Sequence, residues 1–159
     1  MSATVLNISN FKGGTGKTTT TVGTAYELSK LGHRVLVIDF DPQADSTAML
    51  LPALDLDENT TIFEAIQNKD LTEARYNVKD NLDLIASDLD LTGLSDYLYK
   101  MYPRRLNERN RHLSTLIEPL KDDYDYIFID VPPTVSVMTN NAFASSDYIV
   151  LALQTQGAS

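Results

Sequence analysis

The chain predicts an α/β fold, a three-layer doubly wound sheet with mostly parallel strands, on three observations. Short and nearly all-apolar runs at Arg34–Asp39, Tyr124–Asp130 and Tyr148–Leu153 read as strands buried on both faces. Between such runs lie segments with apolar residues at helical spacing, such as Val22, Ala25, Leu28 and Leu31. The first strand, Thr4–Ser9, leads straight into a glycine-rich turn and a helix. Alternating strands and helices imply a layered parallel sheet with right-handed crossovers.

A length of 159 residues is one domain's worth of sequence, so 1–159 is expected to form a single domain with a sizeable core. With 43% hydrophobic and 22% charged residues, the composition is that of an ordinary globular protein. No apolar run approaches a membrane span and no basic start precedes an apolar leader, so a cytoplasmic protein is expected. Cysteine is absent, which excludes disulfides and thiolate metal sites. His33 and His112 stand far apart and near no acidic cluster, and both read as surface residues. A net charge of −9 disfavours non-specific binding to DNA or anionic membrane unless a local basic patch or further sequence supplies it.

The chemistry is concentrated in Phe11-Lys-Gly-Gly-Thr-Gly-Lys-Thr-Thr19, between the first strand and a helix expected over Thr18–Leu31 and ended by Gly32. Gly13, Gly14 and Gly16 leave the backbone free to turn its N–H groups inward as an anion nest, and the helix start adds its unpaired donors. Lys17 is placed between the β- and γ-phosphates of a nucleoside triphosphate. The Thr18 hydroxyl is a ligand for Mg²⁺, and Thr15 and Thr19 complete the cradle, Thr19 towards the α-phosphate. The next strand ends in Asp39-Phe-Asp41-Pro-Gln43, at the edge where α/β folds place their ligands. Asp39 and Asp41 are therefore candidates for Mg²⁺ and for orienting the attacking water.

Short helices are expected at Ala44–Leu51 and Thr61–Ile66, joined by an acidic, solvated loop containing Asp57 and Glu58. A strand follows at Asn81–Ala86, then a helix with the stripe Leu91, Leu94 and Leu98, joined by Tyr97. Lys100 to His112 is the one basic concentration, and it reads first as the solvated face of a helix whose Leu113, Leu116 and Leu120 face the core. Tyr97, Tyr99 and Tyr102 read as half-buried aromatics before base-stacking ones. Tyr124–Asp130 is a Walker B pattern followed by Val131-Pro-Pro133, then a helix over Thr134–Ser145 and a buried strand over Tyr148–Leu153.

With an extra lysine at its start, the loop Lys12-Gly-Gly-Thr-Gly-Lys17-Thr18 resembles the deviant Walker A loop of P-loop NTPases of the MinD/ParA family. Val-Ile-Asp39-Phe-Asp41-Pro-Gln43 and Asp130-Val-Pro-Pro133 place the resemblance with the ParA/Soj-type plasmid or chromosome partition ATPases. That resemblance implies ATP and Mg²⁺ as cofactors. It implies slow hydrolysis tied to Asp41, and a sandwich homodimer formed with ATP in which Lys12 reaches the partner's phosphates. Asp130 would hold Mg²⁺ through a water. The implied partners are a ParB-like centromere-binding protein that stimulates hydrolysis and non-specific DNA, contacted mostly outside this chain, with nucleoid association in the cytoplasm and no membrane. The family's C-terminal helices and adenine-contacting segment are not found within 159 residues, so a truncated chain and a naturally short relative both stay open. The alternatives are a MinD-like membrane-cycling ATPase, against which Asp41-Pro-Gln43 speaks, a non-catalytic interaction module, and a metabolic amidoligase.

Overall fold

A computed structural model describes residues 2–10, 14, 16–55 and 60–152. Lys12, Gly13 and Thr15 of the expected loop, and Asp57 and Glu58 of the acidic connection, lie outside the described residues.

The first strand, β1 (Thr4–Ser9), is followed by α1 (Lys17–Lys30), β2 (Val35–Asp39) and α2 (Asp45–Leu50). Then come α3 (Ile62–Asn68), a 3-10 turn at Leu71–Ala74, and the hairpin β3 (Arg75–Lys79) and β4 (Leu82–Ile85). A second 3-10 turn, Leu89–Gly93, leads into α4 (Leu94–Met101), α5 (Leu106–Asn110) and α6 (His112–Ile117). The chain closes with β5 (Tyr126–Asp130), α7 (Val137–Ser145) and β6 (Tyr148–Leu151). Among the described residues six strands lie in the order β3-β4-β2-β5-β1-β6, all parallel except β3, which pairs antiparallel with β4.

The layers follow from side-chain alternation along the strands. Val35, Val37, Leu82, Leu84 and Phe128 face α1 and α2, where Ala25, Leu28 and Leu50 meet them. Leu36, Ile38, Ile85, Ile127 and Ile129 face the other way, onto Ile62 and Ile66 of α3, Leu94 and Leu98 of α4, Leu113 and Ile117 of α6, and Ala142 of α7. All five residues of β2 are buried, as its apolar run requires.

Two helices start where the sequence supplies caps. Thr61 accepts from the Glu64 amide while the Glu64 carboxylate accepts from the Thr61 amide, a reciprocal capping box that carries α3 to Asn68, two residues past its expected end. Ser136 and Thr139 make the same exchange at the start of α7. Ser136→Ala removes the side chain that accepts from the Thr139 amide and is expected to lower stability by about 1 kcal/mol in urea unfolding. An unchanged midpoint would mean the cap is made by other groups. Inside α7, the fully buried Asn141 accepts from the Leu113 amide and donates to the Arg109 carbonyl, both at 3.0 Å, tying α7 to the α5–α6 junction.

Several sequence expectations are corrected. The Tyr148–Leu153 strand, expected to be buried, is an exposed edge: Tyr148, Ile149, Val150 and Leu151 are 64%, 46%, 45% and 61% exposed. Among the described residues β6 is the last strand of the sheet, paired with β1 alone, and none of its side chains joins either hydrophobic core. His112, expected on the surface, is 5% exposed, with its Nδ1 3.0 Å from the Tyr102 hydroxyl. Burial holds its pKa below the ordinary value, helped by the charge of Lys69. The long helix face expected from Arg104 to Leu120 is instead α5, α6 and a 3-10 turn at Glu118–Leu120, where a proline sits in the first turn. β3 was not expected at all.

Candidate nucleotide site

After β1 the chain moves across the sheet to β2, and after β5 it moves the opposite way to β6, although β1 and β5 are neighbours. Such a reversal opens a crevice at the C-terminal strand ends, where doubly wound sheets bind ligands. Every described candidate residue lies there. A recess of about 350 Å³ is lined by Gly14, Lys17 and Thr18 after β1, by Asp41 and Gln43 after β2, and by Pro133 after β5.

The β1 side is a cradle for an anion. Gly14 and Gly16 have φ of +71° and +78°, a region that a residue with a Cβ enters only under strain. Gly16 is the N-cap of α1 and no side chain among the described residues caps the helix, so the positive end of the helix dipole faces the recess. Lys17 is 7% exposed, a buried ammonium at the mouth of that helix. Uncapped amides, left-handed glycines and a buried cation suit a phosphate.

The β2 and β5 side is rich in carboxylates. Asp39 and Asp130 are register partners across the β2–β5 ladder, and the Phe40 amide donates to the Asp130 carbonyl at 2.8 Å. Asp39 is fully buried, and its Oδ2 accepts from the Thr47 amide at 2.8 Å and the Thr47 hydroxyl at 2.7 Å. Its Oδ1 accepts from the Asp41 amide at 3.3 Å. Burial pushes its pKa up to about 7 against those bonds, with the charge of Asp130 adding to the rise. Asp130 is 1% exposed, and its Oδ2 accepts from the Ser46 hydroxyl at 2.7 Å. Burial raises its pKa as well, while the Ser46 and Thr18 hydroxyls pull it back. Half-buried Asp41 accepts from the Gln43 amide at 2.9 Å, a tight Asx turn, and its pKa is raised by burial more than the Lys17 ammonium lowers it.

Oδ1 of Asp130 is buried and has no hydrogen-bond partner among the described residues. No group of three acidic or histidine side chains close enough to hold a metal occurs among the described residues, but the free Asp130 oxygen and the Thr18 hydroxyl are hard oxygen ligands of the kind a divalent cation takes when water and phosphate complete its shell. The donor set therefore fits Mg²⁺ beside a phosphate.

Sequence reasoning missed Ser46, Thr47 and Ser87. Ala44 adopts the left-handed conformation at φ +55°, which turns the chain into α2 so that Ser46 and Thr47 point back at the strand ends. The Ser87 amide donates to the Thr47 hydroxyl at 3.0 Å and the Ser87 hydroxyl to the Asp41 carbonyl at 2.9 Å, locking the loop after β2 to the end of β4. The only signal was a pair of adjacent hydroxyls, Ser46-Thr47, a few residues beyond Asp39 and Asp41.

A larger concavity, about 520 Å³, opens at the N-terminal strand ends, beside Arg34, Arg75, Asp83 and Tyr124. Its groups already satisfy one another: Arg34 with Asp125 at 3.0 Å, Arg75 with Asp123 at 3.2 Å, and the Tyr124 hydroxyl with Asp83 at 2.6 Å. It is a structural network, not a competing site.

Fold and crevice define a P-loop NTPase-type α/β domain. The chain belongs to the AAA domain family AAA_31, whose family model matches residues 3–159, and its relatives include the ParA/Soj-type partition proteins. It is 36% identical over 162 residues to the chromosome partitioning protein ParA of Myxococcus xanthus, covering 96% of this chain and 52% of that protein. A crystal structure of a plasmid partition protein from Borrelia burgdorferi superposes with a TM-score of 0.80 at 32% identity, over 94% of this chain and 65% of that one. Cobyrinic acid a,c-diamide synthase from Mycobacterium smegmatis, solved with bound ADP and magnesium, superposes with a TM-score of 0.84 at 29% identity, over 95% and 59%. The chain spans little more than half the length of the curated relatives it matches. Among the described residues, no helix is long and apolar enough to cross a membrane.

Proposed function

We propose that residues 1–159 are the nucleotide-binding domain of a ParA-type partition ATPase that binds ATP with Mg²⁺ and hydrolyses it slowly. The observation that carries this reading is an uncapped glycine-led helix start at the same strand ends as a buried carboxylate, Asp130, one of whose oxygens has no hydrogen-bond partner among the described residues. In this reading the loop from Gly13 to Thr19 wraps the phosphates and Lys17 neutralises the β- and γ-oxygens. Thr18 and Asp130 would hold Mg²⁺, which would supply positive charge against that developing on the transferred phosphoryl group. Asp41 orients the attacking water, and Asp39 positions Asp41 through the amide it accepts from. Lys12 reaches the phosphates of a second subunit in an ATP-dependent sandwich dimer. The dimer binds DNA non-specifically, a ParB-like protein stimulates hydrolysis, and the protein works in the cytoplasm on the nucleoid.

Sedimentation with a short random-sequence DNA duplex, under Mg-ATP, Mg-ADP and no nucleotide, tests this reading. Dimer formation with ATP alone is expected; DNA co-sedimentation under the same condition would place a DNA-contacting surface within these residues. A chain that stays monomeric and ignores DNA in all three states would refute the switch for residues 1–159.

A further inference from the structure

Residues 94–112 carry five cations against two carboxylates, a net charge of +3 in a chain of −9, which leaves −12 on everything else. They fold into a compact hairpin of α4 and α5. The Arg109 guanidinium lies 3.7 Å from the centroid of the Tyr99 ring, and this stacking fastens α5 to α4. Arg109 is thereby spent inside the hairpin at 8% exposure. Lys100, Arg104, Arg105 and Arg111 remain exposed, and none forms an ion pair among the described residues. Leu106 and Tyr99, in the same segment, are each 57% exposed.

Free cations beside exposed apolar side chains make a surface with two complementary demands. We propose that the α4–α5 hairpin is a docking surface for an acidic peptide segment with interspersed apolar residues, supplied by a partner protein. Three arginines and a lysine present forked and point-charge donors to carboxylates. Leu106 gives an apolar side chain of the peptide a place to bury, a contact that a phosphodiester backbone has no use for. Size also favours a peptide. A duplex carries a charge about every 1.7 Å and runs past a patch this small onto the rest of the chain, whose formal charge is −12, whereas a short peptide fits within it. At physiological salt the screening length is about 8 Å, so the patch acts locally despite the acidity around it. The surface shares no residue with the lining of the nucleotide recess, and its test needs no ATP.

The test uses the 159-residue chain and three fluorescein-labelled probes: a glutamate-rich peptide with leucine at every fourth position, the same peptide with serine for leucine, and a random-sequence DNA duplex. The leucine peptide is expected to bind best and to weaken as salt is raised. Joint Arg104→Gln and Arg105→Gln substitution is expected to weaken it about tenfold, and Leu106→Ser several-fold. All three positions are exposed, so the fold is not at stake. Failure of the leucine peptide to bind at low salt, or binding untouched by the arginine substitutions, would overturn the proposal. So would a duplex that binds more tightly than either peptide and is lost with the same arginines, which would make the hairpin a nucleic-acid surface instead.

Discussion

Lys17→Ala is expected to abolish measurable ATP binding by the chain while leaving its fold intact. Lys17 is a buried cation at 7% exposure, and no described carboxylate forms a salt bridge with it. Its role in the proposed site is to meet the β- and γ-phosphate oxygens. A charge-assisted hydrogen bond contributes about 1.5–3 kcal/mol, and Lys17 would make at least two, so a loss of about a hundredfold or more in affinity is the scale to expect. The apo protein loses little by the change, because removing the ammonium relieves its own burial and only slightly raises the cost of keeping Asp41 ionised. Titration calorimetry with ATP and Mg²⁺ measures the first quantity and urea unfolding the second. If ATP bound with near-parental affinity, the phosphate cradle would have to lie elsewhere.

The second large effect is a pH dependence of stability set by Asp39. Its carboxyl rises from an ordinary 3.8 to about 7 in the metal-free fold. Below pH 3.8 both folded and unfolded chains hold the proton, and the group contributes nothing to the difference. As the pH climbs towards 7 the unfolded chain releases its proton and the native state keeps it, so stability falls with rising pH. Three pKa units correspond to about 4 kcal/mol, an order of magnitude for a fully buried group. Above pH 7 the penalty is constant, because Asp39 is ionised in both states. Asp39→Asn stays neutral throughout and keeps an oxygen to accept from Thr47, at the cost of the 3.3 Å bond from the Asp41 amide. The variant is therefore expected to be more stable than the parent at pH 8 by a few kcal/mol in chelator, and similar to it at pH 5. Its stability slope from pH 5 to just below 7 should be shallower by up to about one proton, with Asp41 and Asp130 supplying what remains. Parallel slopes for parent and variant would show that Asp39 is ionised across the whole range.

What was legible in the sequence is what physics writes in runs. The apolar stretches of β1, β2 and β5, the helical spacing in α1, and the glycine-lysine-threonine loop between strand and helix each demand one kind of structure. Asp39, Asp41 and Asp130 were legible because they stand at the ends of such runs. β3 was not, because Arg75-Tyr-Asn-Val-Lys79 is half-buried at the sheet edge and carries no apolar run. Its hairpin depends on Asn81 taking φ +63° in a two-residue turn, a local event with a faint composition signal. The burial of Arg109 and His112 was hidden for a different reason. A charged run reads as solvated unless its tertiary partners, here the Tyr99 ring and the Tyr102 hydroxyl, are known. Ser46 and Thr47 were invisible because hydroxyls in a short helix look the same whether they face water or a buried carboxylate.

The amide of Asn141 gives α7 a gearing that a greasy helix contact lacks. Apolar side chains slide past one another by small steps, but a primary amide bonded at once to the Leu113 N–H and the Arg109 carbonyl has one seating. The loop that begins with Pro132 and Pro133 and leads into α7 therefore cannot shift α7 along its axis without either breaking both bonds or dragging the end of α5 and the start of α6 along. Motion at the phosphate end would arrive at the far side of the molecule as a discrete step. By thermodynamic reciprocity, a ligand gripping the far side would change nucleotide affinity by the same factor by which nucleotide changes its own.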